Sequence, residues 1–147
     1  MAFEEGPYVQ AACFCDMALR DNTGVLSLIR ITDTLTHTER GPLPSEEMPP
    51  VPYKLTLVLM LKSGNARGRY DLKIIPELPS GETQDPFTVS VHFEGEERGH
   101  EVVANMPFIF TYEGLYWFNV YLGEEKLTAI PYRVKYSRMV IGHSTSK

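Results

Sequence analysis

Tyr112-Glu113-Gly114-Leu115-Tyr116-Trp117-Phe118-Asn119-Val120-Tyr121-Leu122-Gly123-Glu124-Glu125-Lys126, running into Leu127-Thr128-Ala129-Ile130-Pro131-Tyr132-Arg133-Val134, is the stretch whose reading decides the fold. Both halves alternate with period two, and the Gly-Glu-Glu between them is a tight turn, so the segment predicts a β-hairpin. Gly114 two residues before Tyr116, at the mouth of an alternating strand, has the form of a tyrosine corner, a device of immunoglobulin-like sandwiches. Tyr116 is therefore expected to be a buried structural residue whose hydroxyl bonds backbone at the corner.

Working outward, the same short period recurs and helical periodicity is almost absent. Strands are expected near Tyr8–Met17, Val25–Thr36, Tyr53–Lys62, Arg69–Ile75, Pro86–Phe93, Glu101–Thr111, Leu115–Leu122 and Thr128–Tyr136. About eight strands predict an all-β fold: a two-sheet antiparallel β-sandwich, immunoglobulin-like or a related Greek key. Leu55, Leu57, Leu59 and Leu61 form one core row. Val102, Ala104, Met106, Phe108 and Phe110 form another. The second strand has Leu26 and Leu28 on one parity and Ile29 and Ile31 on the other, which predicts a bulge near Leu28. Pro42, Pro44, Pro49, Pro50 and Pro52 fence an extended loop. Residues 1–136 are read as one domain and 137–147 as a polar C-terminal tail.

Composition bounds the function classes. The chain has 147 residues, 43% hydrophobic and 22% charged, a globular balance. A net charge of −5 with no dense Lys/Arg cluster argues against a nucleic-acid partner. The first residues lack the basic and apolar regions of a signal peptide, and no apolar run approaches the ~18 residues of a membrane span. The expectation is a soluble, cytoplasmic protein with no membrane partner. Cys13 and Cys15 share parity with Val9 and Ala11, which predicts two buried free thiols on the core face. Two reduced thiols fit a reducing compartment.

Two stretches together resemble a known family. They are Ala12-Cys13-Phe14-Cys15-Asp16 with Gly24 to Asp33, and Gly114 to Val120 closing with Pro131-Tyr132-Arg133-Val134. The family is a bacterial one of small all-β proteins carrying only a domain-of-unknown-function label. The resemblance spans nearly the whole chain, and its most specific element is the pair Asp16 and Asp33, given structural roles at strand ends. It implies a sandwich of bacterial, cytoplasmic origin and leaves function open. Arg30 stands where the pattern has Gly.

Chemistry-bearing motifs are sparse. His37, His92, His100 and His143 are too far apart in sequence for a local metal pair, and Cys13-x-Cys15 is half a zinc site at most, so no metal and no cofactor is expected. Asp16, Asp21 and Asp33 could gather round a cation, but they supply too few of the 6–8 oxygens Ca²⁺ takes. Gly64-Asn65-Ala66-Arg67-Gly68 has no Lys-Ser/Thr after it, so it reads as a hairpin loop and not a phosphate cradle.

The surface that stands out is the outer face of the last hairpin. If Tyr116, Phe118 and Val120 point in, Trp117 and Tyr121 point out, with Arg133 beside them on the partner strand. Three readings follow. The leading one is a non-catalytic protein-binding or assembly module, engaging a partner protein or a second copy through a sheet face or strand edge. A carbohydrate-binding module would use the same Trp and Tyr to stack on sugar rings. An enzyme would need Asp16, Asp33 and a histidine in one pocket.

Overall fold

The computed structural model describes residues 5–142. Among these there are strands and loops and no helix, so no helix long and apolar enough to cross a membrane. The strands are β1 (Tyr8–Arg20), β2 (Leu26–Thr32), β3 (Thr34–Gly41), β4 (Val51–Gly64), β5 (Gly68–Glu77), β6 (Phe87–Phe93), β7 (Glu96–Phe110), β8 (Gly114–Leu122) and β9 (Glu125–Val140). They form a four-stranded sheet in the order β2-β1-β4-β7 and a five-stranded sheet in the order β3-β9-β8-β5-β6. The protein is a two-sheet β-sandwich of the immunoglobulin-like or related Greek-key kind, antiparallel except where β3 runs parallel to β9.

The alternating rows meet as expected. Leu57, Leu59, Phe110, Val102 and Met106 from the four-stranded sheet face Tyr116, Phe118, Val120, Leu72 and Ile74 from the other. Phe14 stands edge-on to Phe118 and Tyr132, with ring centroids 5.0 and 5.1 Å apart, an aromatic geometry favoured beyond simple area burial. Tyr116 closes the corner between β7 and β8. Its hydroxyl donates to the Tyr112 carbonyl at 2.7 Å and accepts the Tyr112 N–H at 3.1 Å. Burial nonetheless raises its pKa. Tyr132 is equally buried, but its hydroxyl finds no partner. Burial first, then the nearby Tyr53 phenol and Asp16 carboxylate, push its pKa well above the ordinary tyrosine range.

Several expectations are corrected. The single strand expected over Val25–Thr36 is two strands, split at Asp33, where the chain leaves one sheet and joins the other. The irregularity lies at Arg30, not Leu28: Arg30 has φ 55°, a left-handed conformation. Gly, the residue the sequence reading expected there, adopts this conformation without cost. The Gly64–Gly68 loop is not a hairpin tip, and neither is the turn around Glu94–Glu96. Each carries the chain between sheets, since β4 and β7 lie in one and β5 and β6 in the other. β9 continues to Val140 alongside β3, so residues 137–140 are strand.

The cysteines also move. A register shift between Val9 and Ala11 in the β1–β4 ladder exchanges the faces of β1. Ala12 and Phe14 then pack on the core, and Cys13 and Cys15 point to the outer face. Both are free thiols; Cys15 is buried and Cys13 half-buried. Burial raises the pKa of each, and Cys13 adds to the rise at Cys15.

Cys15 is buried because β1 curls back. Glu101 pairs with Met60, which pairs with Ala11. In a straight strand Arg20 would lie nine residues further on, about 30 Å away. Yet the Arg20 Nη1 atom meets Glu101 Oε1 at 2.5 Å. The far half of the β1–β2 hairpin therefore folds over the outer face of its own sheet as a flap. Ala18 shares a cavity with Thr56, Val103 and Asn105. This covers Thr56 and Val58, which are buried on a face that would otherwise meet water.

Candidate functional site

The flap covers the middle of the outer face of the four-stranded sheet, at Thr56 and Val58, and leaves Lys54, Pro107 and Ile109 of that face exposed. Among the described residues no strand crosses the outer face of the five-stranded sheet, which stays open. β8 runs through the middle of the open face between β9 and β5. Its inward row, Tyr116, Phe118, Val120 and Leu122, is buried. Parity then sends Leu115, Trp117, Asn119 and Tyr121 outward. Trp117 and Tyr121 are half-buried and Arg133 is exposed.

The neighbours of each are set by the ladder. Trp117 lies between Glu77 on β5 and Pro131 on β9. Asn119 lies between Ile75 and Ala129, and Tyr121 between Lys73 and Lys126. Arg133 sits opposite Leu115, with Thr34 of β3 on its other side. The Asn119 amide nitrogen donates to Glu77 Oε1 at 3.4 Å. Pro131 is tolerated in β9 because β3 begins its pairing only at Arg133, so no ladder bond is lost there. The result is a row in which half-buried Trp117 and Tyr121 flank a buried Asn119, with an acid at one end and three cations around it. β9 runs on along β3 rather than back across Trp117.

The structure brings Trp117, Tyr121 and Arg133 onto one face. It adds Glu77, Lys73 and Lys126, which the sequence reading did not single out. The alternation of Leu72, Ile74 and Pro76 against Lys73, Ile75 and Glu77 was the signal available for the β5 members.

Asp16 and Asp33 are not brought together with a histidine. Asp16 forms an ion pair with Arg30 where the hairpin bends. It borders the cavity beneath the flap, beside Tyr53 and Lys54. Asp33 borders a different cavity, with Ile31 and Pro131. Its carbonyl accepts the Arg133 N–H at 2.8 Å, and its carboxylate accepts the Thr34 hydroxyl at 3.0 Å. Asp21 is bound to its own turn, accepting from the Thr23 hydroxyl and the Thr23 and Val25 N–H groups. These bonds, the Thr23 hydroxyl foremost, lower its pKa. Among the described residues no three His, Cys, Asp or Glu side chains gather as a metal site would need. His37 bonds Glu39 at 2.9 Å, and His100 Nδ1 lies 3.2 Å from the His92 carbonyl oxygen. His143 lies outside the described residues.

A family described only as a family of unknown function, DUF6941, matches residues 10–135, and the chain belongs to it. None of the curated proteins matches the chain. Among solved structures it is similar to an immunoglobulin-like protein from Pseudomonas aeruginosa. The two are 16% identical with a TM-score of 0.46, covering 90% of this chain and 98% of that one.

Proposed function

We propose that this member of the family is a non-catalytic binding module that docks a partner protein on the open face of its five-stranded sheet. One observation carries the reading: the flap folds over the outer face of the four-stranded sheet, while no strand among the described residues crosses the outer face of the five-stranded sheet, where the chain's only tryptophan stands on the central strand β8. Trp, Tyr and Arg are the residue types that dominate interface energetics, because they bury much area at low conformational cost and keep a polar handle. Trp117, Tyr121 and Arg133 stand on three corners of that face. Glu77, Lys73 and Lys126 supply a charged rim, as interfaces have. The flap carries a rival apolar stripe of Met17, Leu19, Ile29 and Ile31, but it has no aromatic residue, and its arginines, Arg20 and Arg30, are already paired with Glu101 and Asp16. Two free thiols accord with work in a reducing, cytoplasmic setting.

The test is the double variant Trp117→Ala, Tyr121→Ala, used as bait beside the wild type. It should keep the far-ultraviolet dichroism of the wild type and lose capture of a defined protein from the native host. Each lost anchor should weaken the complex by about 2 kcal/mol or more. Capture unchanged by the double variant would refute the reading. Capture lost only on adding oligosaccharide would favour a sugar-binding face instead.

A further inference from the structure

Beneath the tip of the flap lies a cavity of about 440 Å³ on the opposite side of the sandwich from Trp117. Its walls come from three elements: Arg20 from the flap, Gln10 from the start of β1 and Lys62 from β4, with His100 and Glu101 from β7. Glu101 is the only acid there, and Arg20 already holds it at 2.5 Å. Both bonds of the Arg20 guanidinium, to Glu101 and to the Gly24 carbonyl, leave from Nη1. Its Nη2 and Nε atoms have no partner among the described residues. Lys62 is half-buried and makes no ion pair among the described residues. The His100 Nδ1 atom is engaged with the His92 backbone, which leaves Nε2 unspent.

Among the described residues the Lys62 ammonium, the Nη2 and Nε edge of Arg20 and the His100 Nε2 atom thus line one concave site with no bond of their own, on a chain whose net charge is −5. Arg20 and Lys62 outnumber the single carboxylate, so the cavity is locally cationic. Its size is within the range of small-molecule pockets. An ammonium and an open guanidinium edge that face one cavity both gain charge-assisted bonds when an anion is placed between them. We infer that this cavity binds a small oxyanion, a carboxylate or a phosphate group. Lys62 is its charge partner, and the open edge of the Arg20 guanidinium is its hydrogen-bond donor. Arg20 belongs to the flap and Lys62 to the sheet beneath, so an occupant would bridge the two and hold the flap down over Cys15.

The test is a titration of the isotopically labelled full chain, followed by amide resonances, with inorganic phosphate and separately with succinate. Sodium chloride serves as the ionic-strength control. Saturable shifts at Gln10, Arg20, Lys62 and residues 99–101 are expected, with slower alkylation of Cys15 at saturation. Lys62→Ala should weaken binding about tenfold, the loss of one charge-assisted bond. Lys62→Arg should retain it, and Lys54→Ala, which alters a neighbouring cavity, should leave it unchanged. Phosphate alone, succinate alone or both binding would each support the site and identify the group it takes. No saturable shift from either, the same shifts with chloride, or shifts indifferent to Lys62→Ala would overturn it.

Discussion

Two buried tyrosines make opposite predictions. The Tyr116 hydroxyl both donates to and accepts from Tyr112, so Tyr116→Phe leaves backbone groups unpaired and should cost about 1–2 kcal/mol. The Tyr132 hydroxyl has no partner, so Tyr132→Phe removes a buried polar group and should stabilise by about 1 kcal/mol. Urea midpoints at neutral pH check both signs. Tyr132 also predicts a pH dependence. Its pKa is raised in the folded state, so above about pH 10 the unfolded phenol releases its proton and the folded one keeps it. Stability should fall as pH rises through that range, and less steeply in Tyr132→Phe. Arg30 is the third residue of this kind. In an ordinary strand Val is favoured over Gly, but at φ 55° the order should invert. Arg30→Gly should be near neutral, because the exposed pair with Asp16 contributes little, and Arg30→Val should be about 1–2 kcal/mol worse. Equal midpoints for the two would remove the strain argument. The corner tyrosine was legible in the sequence because Gly114 and Tyr116 are local to each other. The orphaned hydroxyl of Tyr132 was not, because partners come from tertiary neighbours.

At the scale of elements, period-two alternation placed most strands and the rows of β4, β7 and β8 that build the core. It misplaced the cysteines, because one extra residue near Gln10 exchanges faces without disturbing the alternation on either side of it. It did not show the flap at all. Whether a hairpin continues its sheet or folds over it depends on a bend at Asp16 and Arg30 and on a contact with Glu101, 81 positions away from Arg20. The latch is a partly exposed ion pair worth up to about 1 kcal/mol. Glu101→Gln should therefore change global stability little and raise the population of the lifted flap by roughly fivefold. Cys15 should then react faster with a thiol reagent by a similar factor, and Cys13 less so. An unchanged Cys15 rate would show that packing at Ala18 and Val103, and not the ion pair, holds the flap.

For the whole molecule, the fold class was legible and the asymmetry between the two outer faces was not. Trp117, Tyr121 and Arg133 could be placed on one surface by parity alone. That this surface stays open while the middle of the opposite one is covered follows only from the path of β1. The central claim, that the open face is where the protein meets its partner, is tested most directly by site-specific photo-crosslinking in living cells of the native host. A photoreactive residue is placed in turn at Trp117, Tyr121 and Arg133 on the open face, and at Met17 and Ile29 on the flap. The account predicts one defined protein adduct from the three open-face positions and none from the two flap positions. An adduct formed only from the flap, or from neither face, would contradict it.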